Sequence, residues 1–479
     1  MSAVRLIARD ELRLMLRNRV AVIAFALLVL LTLVAIASSW SHQQRIADLR
    51  ARHQAAAAEA FDAQPDRHPH RVVHYGNFIF RPLGPLAAFD PGVDAFTGNS
   101  MFLEGHRQNT ANFGDVRQSS LLVRFGQLSP AFVLQTVAPL LLVFLGFAAV
   151  ARERERGTLR LLMLQGVGRG QLIAGKLLAL GTVALAAALP ALVGLAVIAA
   201  QPGAAALPML VIGAGYLAYL TLWVVVILAV SALVRRGRDA LLALVAIWAV
   251  TTILVPRLAP DVASQAHTLR NRLQTDVAIA RDLRRMGDSH NPDDPHFAAF
   301  KAATLQRYGV GRVEDLPVNY KGLLALEGER MTSALFDRYS RESFAAQARQ
   351  NALVDAASVA SPAIALRSMS MSAAGTDLAG HQRFLEQAEA YRYDLVQRLN
   401  RMQAEGVRYA DDTATDAGAD RRKRVDAGNW QAMPDFAFEA PAPATLARAA
   451  LPGLATILLW LGAAAALLVL ATRRLGARR

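Results

Sequence analysis

The sequence contains no cysteine. Disulfides, thiolate metal sites and cysteine nucleophiles are therefore excluded, although a cysteine-free chain is compatible with any redox compartment. Charge is missing from six long apolar stretches: 20–38, 130–150, 177–200, 207–232, 240–255 and 451–471 carry no Asp, Glu, Lys, Arg or His. A proton-coupled carrier or an intramembrane protease ordinarily keeps an ionisable group in such a stretch, so the absence argues against both. No His-Glu-x-x-His run is present, which leaves a zincin protease unsupported. A phosphate-binding loop is also missing. Gly170 to Leu177 approaches the pattern, but Leu177 stands where Ser or Thr must hold magnesium, and the residues before it read as helix rather than strand.

What the chain does have is hydrophobic length. Hydrophobic residues make up 54% of the 479, with 19% charged, which suggests apolar spans joined to sizeable polar regions. A helix needs about 20 apolar residues to cross a bilayer, and the six uncharged stretches qualify, the fifth being the shortest. If the N-terminus is cytoplasmic, the cytoplasmic pieces are 1–19, 151–176, 233–239 and 472–479. These hold 18 Lys and Arg against 5 acids, so +13 of the net +14 falls on one side. That is the positive-inside pattern, and it makes a nucleic-acid-binding reading of the charge unnecessary. The first stretch exceeds the about 7–15 residues of a signal-peptide core, so it reads as an uncleaved span.

Residues 1–19 read as an amphipathic interfacial helix. Arg5, Arg9, Arg13 and Arg17 recur every fourth residue as a basic stripe, with Val4, Ala8, Leu12, Met15 and Leu16 supplying an apolar one. A plain positive flank of the first span is the alternative. The polar segments 39–129 and 256–450 fall on the extracytoplasmic side. The first opens as a helix and becomes turn-rich around Arg81–Pro85 and Asp90–Gly92. The second is mainly helical, since Phe384, Ala388, Tyr391, Leu395, Leu399 and Met402 keep a three-and-four spacing. Residues 406–446 read as a poorly ordered return strap. Gly213 and Gly215, beside Tyr216 and Tyr219, mark close helix contact within a span.

The connector 151–176 is the most informative stretch. A charged run, then Gly157 and Thr158, then a leucine-rich turn predicts a short helix at the membrane surface, begun by Gly157 or Thr158. Here the sequence resembles the permeases of type-2 ATP-binding cassette (ABC) exporters, on Glu153, Glu155, Gly157, Thr158, Leu159, Leu162, Gly175 and Lys176, on the six spans and on the N-terminal helix. The resemblance implies that Glu153, Glu155, Gly157, Thr158, Leu159, Leu162 and Leu164 couple to a separate ATPase subunit. It implies no enzyme activity and no cofactor in this chain, with ATP and Mg held by that partner. It further implies a second permease copy or a related permease, and residence in a bacterial inner membrane with both termini cytoplasmic.

The two outer segments resemble a subgroup with a large helical extracytoplasmic domain of unassigned function. The matching stretches are His74–Gly76, Phe80–Pro82, Leu103–Gln108, Asp315–Tyr320, Ser361-Pro362, Gly375–Asp377, His381, Phe384 and Ala388–Arg392. His68, His70 and His74 also lie close together, and imidazoles at such spacing can bind zinc or copper. With no cysteine and only Asp66 nearby, solvent-exposed histidines are the favoured reading, so no metal site is assigned.

The expectation is an all-α integral membrane protein with six transmembrane helices and a mainly helical extracytoplasmic domain built from two loops. It would be the permease subunit of an ABC transporter. An ATP-driven machine that moves no solute and acts on a periplasmic partner, or a membrane-anchored scaffold, are the alternatives.

Overall fold

The computed structural model describes residues 2–111, 128–201, 203, 205–287, 291 and 294–475; the remainder of the loop 39–129, at 112–127, and the end of the C-terminal tail lie outside them. The longer helices, in chain order, are α1 (Ala3–Arg17), α2 (Arg19–Asp62), α3 (Pro130–Glu155), α4 (Thr158–Leu164), α5 (Arg169–Ala199), α6 (Ala206–Leu233), α7 (Gly237–Ala266), α8 (Arg272–Met286), α9 (Pro295–Tyr308), α10 (Tyr320–Ala356), α11 (Pro362–Ala374), α12 (Leu378–Gly406) and α13 (Pro443–Arg474). Six of them, α2, α3, α5, α6, α7 and α13, are long and apolar enough to cross a membrane, and each covers one of the uncharged stretches to within a residue.

Helix boundaries depart from the apolar boundaries for local reasons. Asn18 alone separates α1 from α2, and its side chain accepts from the Val20 and Ala21 amides, an N-cap that turns the chain. α2 then runs for 44 residues, about 66 Å, or roughly twice a hydrocarbon core. Its second half therefore stands beyond the apolar bundle as a post for the polar unit. α6 is the hub of the bundle: Ile212, Tyr216, Tyr219, Leu220, Trp223, Ile227 and Leu228 are buried against neighbouring helices. α11 belongs to the polar segment by sequence, yet it packs on α6 and α13, with Leu366 and Met369 fully buried. Gly215 permits that approach, because a Cβ there would lie 2.2 Å from the Met369 sulfur.

The polar unit is built on α10 and α12, which pack on each other. Phe384, Ala388, Leu395 and Leu399 of α12 are buried, as their spacing predicts. The unit is mainly helical, as expected, though it is not free of strand: β1 (Asn77–Phe80) and β2 (Ser100–Leu103) form an antiparallel hairpin, Asn77 opposite Leu103 and Phe80 opposite Ser100. Ile79, Met101 and Leu103 point from it onto Phe384 and Ala388.

Contrary to expectation, the stretch 406–446 is not a loose strap. Trp430 is fully buried with Phe61, Val72, Leu395 and Leu399, and its indole N–H donates to the Gln64 carbonyl at 3.3 Å. Val425 bridges to Arg67, Asp66 accepts from the Ala427 amide at 2.9 Å, and Arg422 pairs with Asp411 at 2.9 Å. One aromatic anchor outweighs a polar composition. We predict that Trp430→Ala costs about 3–5 kcal/mol and raises hydrogen exchange across 406–446 while leaving α6 protected; unchanged exchange in that stretch would count against this role.

Candidate functional site

One end of the bundle gathers the N-terminal helix, the elbow and the α6–α7 turn. α1 lies along the start of α5. Contact is close because Gly175 faces Ile7, where a Cβ would come within 2.7 Å of the Ile7 Cβ. Arg5, Arg9, Arg13 and Arg17 are all exposed, while Ala8 and Glu11 are buried. Glu11 is buried because Lys176, itself buried on α5, donates to it. Lys176 also reaches Glu153 at 3.4 Å, and Arg152 approaches Glu11 at 3.6 Å. Two cations and two carboxylates thus tie α1, α3 and α5 together. Sequence reasoning missed Glu11 and Arg152, which carry no signal beyond being charged.

The residues singled out in the elbow divide into two roles. The two glutamates tie the elbow to its neighbours, Glu153 half-buried and Glu155 at the surface. Glu153 accepts from the Thr158 hydroxyl as well as from Lys176. Glu155 accepts from the Gly237 amide at 3.0 Å and so braces the start of α7. Arg154 donates to the Ala232 carbonyl at 2.9 Å, and the Ser231 hydroxyl accepts from the Val150 and Ala151 amides at 2.9 and 3.1 Å. Gly157, at φ 71° in the left-handed region, turns the chain into α4. On α4, Leu159 and Leu162 are half-buried, whereas Leu161 and Leu164 are 58% and 76% exposed. Of the three leucines that the resemblance implies in coupling, only Leu164 is exposed; Leu161, outside that set, is exposed as well. The near-match at Gly170–Leu177 lies inside α5 and forms no loop.

In the polar unit, the stretches named for the subgroup resemblance meet in space. Arg81 donates to Asp94 at 2.9 Å and to the Gly375 carbonyl at 3.0 Å, and the Thr376 hydroxyl donates to the Asp90 carbonyl at 3.0 Å. The Asp90 carboxyl is buried beside Tyr216 of α6, and burial raises its pKa. A scan of the spans alone could not find it. Deeper in the unit, the buried Arg392 donates to Glu389 at 2.7 and 2.8 Å, to the Ser333 hydroxyl at 2.7 Å and to the Glu104 carbonyl at 3.2 Å. It pairs with Glu329 at 2.7 Å, and Glu329 has no exposed surface.

Burial alone would raise the Glu329 carboxyl. Hydrogen bonds from His106 and the charge of Arg392 outweigh it and hold the group at about 2, below its usual 4.5. Glu389 goes the other way, raised by burial.

The histidines sort differently from their spacing. The His68 ring stands apart from the imidazoles of the other two. It caps the short helix Pro69–Tyr75 by accepting from the His70 amide at 3.1 Å, and its Nε2 lies 3.0 Å from Asp412. Asp412 sits more than 300 residues along the chain, so spacing could not reveal the pair. His70 and His74 do meet, and the third ring beside them is His106.

Residues 272–439 match a domain of unknown function (DUF3526). The matched domain contains Glu329, Glu389, Arg392 and Asp412 but neither the elbow nor the three clustered histidines. No curated protein matches the chain.

Two predictions follow from these buried charges. Glu11→Ala leaves buried Lys176 with only the longer contact to Glu153 at 3.4 Å and should cost up to about 3 kcal/mol, whereas Glu11→Leu with Lys176→Met should cost far less. Trypsin cleavage at Arg9 and Arg13 in vesicles reports release of α1; equal cleavage in both variants would refute the pairing. For Glu329, a depressed carboxylate stabilises the fold above its unfolded pKa of 4.5 and loses that stability as pH falls through about 2. Glu329→Gln should therefore destabilise the unit by about 3 kcal/mol near neutral pH, with the gap closing between pH 4.5 and 2 in urea titrations followed by tryptophan fluorescence. A gap that stays constant over that window would overturn the assignment.

Proposed function

We propose that this chain is the membrane-spanning subunit of an ATP-driven transporter whose ATPase is a separate polypeptide docking on α4. The observation that carries the reading is a short helix with Leu161 and Leu164 exposed at its surface, joined at Gly157 to the end of α3, which Glu153, Arg154 and Glu155 tie to α5, α6 and α7. An exposed apolar contact on a rigid lever is what a docking motor needs to move helices. The basic character of this end fits a cytoplasmic face. The domain of unknown function matched over 272–439 also occurs in ABC-transporter-like permeases. ATP and Mg belong to the partner, and Leu242, Val250, Ile253 and Leu258, exposed along α7, suit lipid or a second permease copy.

One observation favours a second reading, in which the motor drives the polar unit against a periplasmic partner and moves no solute. α11 joins that unit to α6 and α13, so a displacement of the spans is carried directly into it.

Leu161→Asp with Leu164→Asp should reduce co-purification of the proposed partner ATPase by roughly tenfold or more, with insertion into the membrane unchanged. Gly157→Pro should do the same, since proline cannot hold φ 71°. ATPase association equal to wild type in both variants would sink the docking role. Solute uptake into vesicles reconstituted with the pair separates the two readings.

A further inference from the structure

Three imidazoles converge in the polar unit from two segments of the first loop. His70 and His74 stand one turn apart on the helix Pro69–Tyr75, so both rings leave the same face, and their Nε2 atoms are 3.1 Å apart. His106 comes from the turn after β2, with its ring centroid 5.5 Å from that of His70 and 5.3 Å from that of His74. One ring nitrogen from each of the three lies within 4.8 Å of the others.

The backbone is shaped to bring them together. The Gly105 amide donates to the Val73 carbonyl at 3.2 Å, and a Cβ on Gly105 would lie 2.2 Å from a Val73 methyl. The turn thus touches the helix between its two histidines. His106 holds φ 62°, the one positive φ outside glycine among the described residues. Glu329 fixes that conformation, since one carboxylate oxygen accepts from the His106 amide at 3.1 Å and lies 3.3 Å from its Nδ1. Arg392 fixes Glu329 in turn. With Nδ1 facing a carboxylate, the His106 lone pair sits on Nε2, the atom left for the cluster. This carboxylate–histidine arrangement is the one that orients metal-binding imidazoles. Ligand nitrogens in a tetrahedral site with bonds of about 2.0–2.1 Å are roughly 3.3 Å apart, close to the separation of His70 and His74.

We propose that His70, His74 and His106 bind one borderline divalent transition-metal ion, of the zinc or copper(II) class, with Glu329 positioning His106. Three neutral imidazoles without thiolate suit that class. His74 is exposed, so a fourth coordination position opens to solvent or to a small ligand. The bound ion ties the helix Pro69–Tyr75 to the hairpin turn. The three ligands lie outside the matched domain, and the site does not depend on the transporter reading.

The test uses the full chain in detergent, freed of its affinity tag and stripped with chelator. Zinc is added in small excess, the protein desalted, and bound metal measured. Wild type and His53→Gln should each retain about one zinc ion per chain. His74→Ala and His106→Asn should retain a tenth of that or less; asparagine tolerates the positive φ, so the second variant keeps the turn. Copper(II) as a second probe should give an electron paramagnetic resonance spectrum with three-nitrogen coupling in wild type, lost in His74→Ala. Wild type that retains no zinc, or His74→Ala and His106→Asn variants that are monodisperse and retain as much as wild type, would overturn the proposal.

Discussion

A charged side chain in hydrocarbon costs several kcal/mol unless it is paired or reaches water, and the six apolar helices carry none in their uncharged stretches. Among the described residues the charges therefore lie outside those stretches, toward the ends of the bundle or in the polar unit. The architecture follows from that separation. The helical bundle satisfies its own backbone, as lipid requires, and the chemistry that can bind, pair or signal is concentrated where the helices emerge.

Each end uses a buried cation as a fastener. At the elbow, Lys176 holds Glu11 and Glu153, and so holds an amphipathic helix against the bundle. In the polar unit, Arg392 holds Glu329 and Glu389, and through Glu329 the turn that bears His106. Buried pairs of this kind add little net stability over apolar contacts, but breaking one is expensive. They therefore enforce a unique arrangement of segments that hydrophobic packing alone would leave free to slide.

α11 and the second half of α2 connect the two regions. The first wedges into the bundle beside α6 and α13, and the second rises out of it to receive Trp430 and the stretch around it. The bundle and the polar unit are in direct contact at these two points. That contact gives the transporter reading and the solute-free reading a common mechanical basis.

The spans, the basic bias of one set of connectors, the amphipathic α1 and the buried face of α12 were all legible in the sequence, because hydropathy and helical period are local properties of the chain. The elbow's Gly157 and its leucines were legible for the same reason. Which leucines remain exposed was not, since Leu159 and Leu161 differ only in what packs beside them. Trp430 reads as one aromatic in a polar stretch, and His68 as one of three neighbouring histidines. Only the tertiary fold sends His68 to Asp412, brings His106 to His70 and His74, and buries Glu329 against Arg392. Those pairings join separate elements of the chain, His68 and Asp412 across more than 300 residues, and depend on chain closure, so no local pattern records them.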